Sequence, residues 1–136
     1  METTDELRLA VLRLARRLRL ERAPGDVSDS QLSALFVLWK EGPMTLTALA
    51  DRERVTPPSM NRTVNGLVEA GLVARSGSAD DGRKVLIEAT GAGAALAQEI
   101  KRRRAAWFSR QVATLDDAER TALEVAAPIL RRLADS

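Results

Sequence analysis

The chain has 136 residues, 45% hydrophobic and 29% charged, with 21 basic and 19 acidic side chains, a net charge of +2, and no Cys or His. That is the size and balance of one folded domain, whose core must be aliphatic because aromatics make up only 3%. Without thiol or imidazole, disulfides, thiol redox sensing, Cys/His metal sites and Ser-His-Asp or Cys-His catalysis are excluded.

No apolar run approaches the ~18 residues that span a bilayer. The opening METTDELRLAV is acidic and lacks the basic-then-apolar layout of a signal peptide, so a cytoplasmic location is expected. Arg outnumbers Lys 18 to 3. The bias covers the whole chain, and a GC-rich coding genome accounts for it more simply than phosphate or guanine contact does.

The first helix is predicted over about residues 5–22, with Thr3 and Glu6 as a capping box. Leu7, Val11, Leu14 and Leu18 form one stripe, and Leu9, Leu12 and Leu20 lie opposite. Two opposed stripes predict burial between two surfaces, one of them a partner subunit. Ala23-Pro24-Gly25-Asp26 breaks the helix. Ser28 and Gln31 form a second capping box ahead of a helix at about 29–41, which buries Leu32, Leu35, Phe36, Leu38 and Trp39 and stops at Gly42-Pro43.

Met44-Thr45 reads as a short strand, and Thr45 caps a helix through Arg52 with Leu46, Leu49 and Ala50 inside. After a turn at Val55, Thr56 caps a helix from Pro57 to about Ala70, with Pro57 at the first helical position, and Gly71 ends it. Residues 72–76 and 84–89 read as paired strands around the polar loop 77–83. Thr90 caps a long helix over about 91–113, with Leu96, Ile100 and Trp107 on one face. Asp116 and Glu119 open the last helix, to about Ala134. It has a broad apolar face (Ala122, Leu123, Ala126, Ile129, Leu130, Leu133) and Pro128 inside, which should kink it near Glu124.

This order predicts a mainly α protein with a small β-hairpin wing: a winged helix-turn-helix with flanking helices forming a dimerisation region. Residues 29–90 are the winged helix-turn-helix, and residues 1–28 and 91–136 the dimerisation region, folded together as one integrated domain. Neither end region has enough core to fold alone, so their spare apolar faces are expected to pack together and across a two-fold axis.

In the helix opened by Pro57, Met60, Val64, Leu67 and Val68 recur at helical spacing and are assigned to the core. The other face presents Pro58, Ser59, Asn61, Arg62, Asn65 and Glu69. A polar helix face is usually just solvated. Here a capped helix and tight turn precede it and a wing follows, the arrangement that offers one helix to the DNA major groove. Asn pairs with adenine and Arg with guanine, and a helix N-terminus favours phosphate. The candidate DNA-contacting residues are Thr56, Pro58, Ser59, Asn61, Arg62, Asn65, Arg75, Arg83 and Lys84. The loop Asp80-Asp81-Gly82-Arg83 suits a hairpin turn. It also suits an Arg83 that reaches into the minor groove, with Asp81 positioning it.

These residues carry a resemblance. Leu49 to Gly93 is similar to the MarR family of bacterial winged-helix regulators. The wing signature of that family is Asp-x-Arg, an apolar strand and Thr-x-x-Gly. It is matched by Asp81-Gly82-Arg83, Val85-Leu86-Ile87 and Thr90-Gly91-Ala92-Gly93. Many members carry Arg where Gly82 stands, so one phosphate contact is absent. The resemblance implies a homodimer that binds double-stranded DNA at a pseudo-palindromic operator, with half-sites roughly 34 Å apart. It also implies transcriptional repression. Many members release DNA when a small, often aromatic or anionic effector binds between the dimerisation and DNA-binding regions. Candidates to meet such an effector are Trp39, Met44, Arg103 and Trp107, although Phe36, Trp39 and Met44 are more often core than pocket. Within the run Lys101-Arg102-Arg103-Arg104, an otherwise solvated face, Arg103 lies one turn from both Ile100 and Trp107. That places it to stack on Trp107 or to meet an effector. No cofactor or metal is implied.

Two other classes remain to be weighed. A winged-helix protein–protein module without DNA binding is the alternative, because residues 52–84 dilute six basic groups with four acidic ones. An enzyme is disfavoured: there is no paired-carboxylate site, phosphate-binding Gly loop or nucleophile–base set.

Overall fold

The computed structural model describes residues 2–22, 27–77 and 84–136. Its elements are α1 (Glu2–Leu20), α2 (Asp29–Glu41), α3 (Leu46–Glu53), α4 (Pro57–Glu69), β1 (Val73–Gly77), β2 (Val85–Ala89), α5 (Gly91–Ala113) and α6 (Asp117–Ala134). By contacts the chain divides into two units, Arg22–Arg102 and Met1–Glu21 with Arg103–Ser136.

In the first unit, local chemistry sets each boundary. Ser28 Oγ accepts from Gln31 N at 3.1 Å while Gln31 Oε1 accepts from Ser28 N at 2.8 Å, the reciprocal box that opens α2. Gly42 ends it at φ 93° with its N–H on Leu38 O. Thr45 and Thr56 cap α3 and α4. β1 and β2 pair antiparallel, Val73 opposite Ala89 and Arg75 opposite Ile87. Met44 adds a bridge to Ile87, with N···O distances of 3.0 and 2.7 Å, confirming the short extended segment expected there. Leu35, Leu49, Val64, Leu67 and Ile87 are fully buried where α2, α3 and α4 meet the hairpin. Val68, assigned to the core from its spacing, is 36% exposed. The buried stripe of α4 is narrower, Met60, Val64 and Leu67 alone, because α2, α3 and β1 cover only that side.

The second unit consists of α1, the C-terminal part of α5 and α6. Helix α1 starts at Glu2, so Thr3 lies inside the first turn and cannot cap it. Glu2 and Asp5 supply the negative charge that favours a helix start. Asp116 and Glu119 form the expected box before α6, which continues through Pro128. Among the described residues of this unit no side chain is buried: Leu7, Leu12, Leu14, Leu123, Ile129 and Leu133 all stand exposed. No described helix is long and apolar enough to cross a membrane.

Candidate nucleic-acid interface

The turn between α3 and α4 spans only residues 54–56. Arg54 takes the left-handed conformation (φ 57°, ψ 43°), the one non-Gly residue with positive φ among those described. Its N–H reaches Asp51 O at 3.2 Å, and Val55 N reaches Ala50 O at 3.0 Å. An L-residue pays of order 1 kcal/mol for this geometry, and in return α4 starts at once at a fixed angle to α3. No residue type marks this strain in advance, because Arg stands at a position that Gly would ordinarily fill.

Helix α4 opens with two prolines after the Thr56 cap. Neither Pro57 nor Pro58 has an N–H. Ser59 N is held by Thr56 Oγ1 at 3.3 Å and Met60 N by Thr56 O at 2.9 Å. Of positions 57–60, two therefore have no N–H and two are already bonded within the chain, so none of them offers a donor to phosphate. The helix dipole and the Thr56 hydroxyl proton can still meet an anion at this helix start.

The exposed side of α4 carries Pro58, Asn61, Arg62 and Asn65. Arg62 has no hydrogen-bond or ion-pair partner among the described residues, so its guanidinium is available to a ligand. Ser59 is half-buried and lines a cleft of about 140 Å³ with Ser30, Ser33, Glu53, Val55, Met60 and Thr63. Arg75, named from sequence as a direct contact, turns back to α4: its Nη2 donates to Asn65 Oδ1 at 2.7 Å and to Asn61 Oδ1 at 3.2 Å. Register explains this. Arg75 opposes buried Ile87, so it lies on the helix-facing side of the hairpin, just past the core. Lys84 is exposed immediately before β2. Asp81 and Arg83 lie outside the described residues.

Of the residues expected to meet an effector, Trp39 and Met44 are half-buried against the core of the first unit. Lys101 Nζ stands 5.6 Å from the Trp39 ring centroid. Arg103 and Trp107 belong to the second unit. There the Arg17 guanidinium lies 4.5 Å over Trp107, a cation from α1 that spacing along α5 could not reveal. Among the described residues no cluster of acidic side chains could hold a metal.

Comparison with known proteins places this geometry. The model of the MarR family matches residues 27–85, the span from the α2 cap to the start of β2. An HTH-type transcriptional regulator of Mycobacterium bovis is 45% identical over 131 residues, covering 96% of this chain and 92% of the relative. Two solved structures share the fold at lower identity. A MarR family protein from Bacillus stearothermophilus has a TM-score of 0.86 at 21% identity, over 99% of this chain and 94% of the other. FabT of Streptococcus pneumoniae, solved in complex with DNA, has a TM-score of 0.81 at 18% identity, over 98% and 96%. The helix-turn-helix, the hairpin and these relatives together mean that the chain belongs to the MarR family of transcriptional regulators.

Proposed function

We propose that the protein is a homodimeric, sequence-specific DNA-binding repressor acting in the cytoplasm, which lays α4 in the major groove of each half of a pseudo-palindromic operator. The observation that carries the reading is the exposed face of α4. Among the described residues Arg62 stands there without a protein partner, beside two asparagines held in fixed orientation. The fold is shared with FabT, which was solved in complex with DNA, and this supports DNA binding. Arg83 is proposed to reach the adjacent minor groove, with Asp81 positioning it.

Dimerisation follows from the second unit. α1, the C-terminal part of α5 and α6 bury nothing among their described residues and gain little from folding alone. Leu7, Val11, Leu12, Leu130 and Leu133 line an open apolar groove there, and the apolar remainder of α1 and α6 continues it. A second copy of the same unit supplies the missing cover, in agreement with the symmetric operator.

Release by a small aromatic or anionic effector belongs to the same reading. Trp39 beside Lys101, and Trp107 beside Arg17, each set an aromatic face next to a cation, a pairing that suits an aromatic anion. These are the only two tryptophans, so effector titration followed by intrinsic fluorescence reports on both places.

The deciding experiment selects bound fragments from genomic DNA, sequences them, and repeats the binding across a salt series. A recurrent inverted repeat whose affinity falls steeply with salt is expected. Absence of any salt-sensitive duplex binding would leave the protein–protein module as the function.

A further inference from the structure

Asn61 and Asn65 stand one turn apart on the exposed face of α4, and a single nitrogen, Arg75 Nη2, donates one hydrogen to each amide oxygen. A guanidinium has donors only, so both amides must turn their oxygens toward it and their NH2 groups away. We propose that Arg75 is a positioning residue that fixes Asn61 and Asn65 as hydrogen-bond donors. This part of α4 then selects base edges rich in acceptors, guanine O6 and N7 or thymine O4, over the adenine edge that a free asparagine would take. The proposal rests on the DNA reading given above and names the chemistry of its readout.

An asparagine that pairs with adenine must show the base both ends of its amide, the oxygen accepting from N6 and the nitrogen donating to N7. Here each oxygen already faces a cation. Swinging it to a base means giving up a charge-assisted hydrogen bond, about twice as strong as a neutral one. Because both bonds start from the same nitrogen, the two amides are set together. β1 anchors the device: Arg75 lies directly opposite Ile87 in the antiparallel register, and Ile87 is fixed in the core. Arg62 makes no such bond among the described residues and is left to choose its own base or phosphate.

The test starts from the wild-type protein and its selected operator. Asn61→Ala and Asn65→Ala locate the base pairs these residues read, as positions where preference flattens. Wild type should prefer guanine or thymine there and disfavour adenine by about tenfold. Substituting 7-deazaguanine for a preferred guanine, which removes only the N7 acceptor, should weaken wild-type binding several-fold. Arg75→Leu should admit adenine at these positions while leaving preference elsewhere unchanged. A purely structural Arg75 would lower affinity for all sequences alike. Adenine preferred by wild type at the mapped positions, or an Arg75→Leu profile unchanged in base preference, overturns the proposal while DNA reading by α4 stands. Wild type without any duplex binding overturns both. If Arg75→Leu does not fold, the wild-type base preference and the 7-deazaguanine arm still decide.

Discussion

Gly93 of α5 packs directly on the main-chain carbonyl of Leu72. A Cβ built on Gly93 would overlap that oxygen and press on Leu35 Cδ1 at 3.0 Å. The same carbonyl accepts from Thr90 N at 3.0 Å. The Thr90 hydroxyl in turn donates to Gly71 O at 2.7 Å and accepts from Gly93 N at 3.1 Å. One hydroxyl thus caps α5 and ties it to the end of α4, and one missing side chain lets the two backbones touch. That is the physical content of the Thr-x-x-Gly signature.

Gly93→Ala should therefore lower stability by about 1–3 kcal/mol, although Ala is the better helix former by about 1 kcal/mol. The clashing atom is backbone and cannot swing aside. Thr90→Val should lose about 1 kcal/mol by removing the cap and the bond to Gly71. Urea unfolding midpoints measure both, and a Gly93→Ala variant as stable as wild type would contradict the contact.

Gly66 makes the opposite case. An added Cβ there meets the end of the Gln31 side chain, a group that can move. It is held, however, by the α2 capping box through Ser28. Gly66→Ala should gain helix propensity, about 1 kcal/mol, and lose a similar amount from the box, for a net change near zero. In a Gln31→Ala background the same substitution should stabilise by about 1 kcal/mol. A double-mutant cycle by denaturation reads this coupling, and strictly additive effects would refute it.

The contrast between these positions shows what was legible in the sequence. The Ser28/Gln31 box, the Thr45 and Thr56 caps, the Asp116/Glu119 box and both strands were readable because their partners lie three residues away or across one hairpin. Thr3 failed as a cap because nothing local distinguishes a threonine before a helix from one in its first turn. The two prolines of α4 were visible, but which donors they leave at the helix start depended on the bonds of Ser59 and Met60. The links from Arg75 to Asn61 and Asn65, and from Arg17 to Trp107, join different elements and depend on register and packing. No periodicity encodes them.

With no His in the chain, no side chain has its ordinary titration between pH 5 and 8. Operator affinity at fixed ionic strength should stay level from about pH 5.5 to 7, below the range of the α-amino group. Fluorescence anisotropy on a labelled operator checks this. A tenfold change across that interval would mean that a side chain of another type titrates on binding.

Arg62 and Arg83 should fail differently. Arg62→Ala is expected to weaken operator binding by about 1–3 kcal/mol and to relax preference at one base pair if it reads a base. If it holds phosphate, the loss is uniform across sequences and the salt slope drops by about one. Arg83→Ala should weaken binding most where a narrow A/T-rich minor groove flanks the half-site. Competition with operators of altered flanks separates the two, and wild-type binding by both variants would place the interface elsewhere.

The apolar groove of the second unit gives the strongest expected effect. Leu12 and Leu133 line it from α1 and α6 and are 54% and 60% exposed in the single chain. Fully burying a leucine contributes about 1.5–3 kcal/mol, and somewhat over half of that is still to be gained here. In a two-fold interface each substitution is made twice, so Leu12→Glu or Leu133→Glu should weaken dimerisation by roughly 1.5–3.5 kcal/mol, before any penalty for the buried charge. That is about one to three orders of magnitude in Kd. The winged-helix unit has its own buried core, so its helical signal should persist while the sedimenting species halves in mass. Operator affinity should fall with it, because one α4 reads only one half-site. Wild type that sediments as a monomer at every concentration would refute the interface, and a monomeric variant with undiminished operator affinity would refute the paired reading.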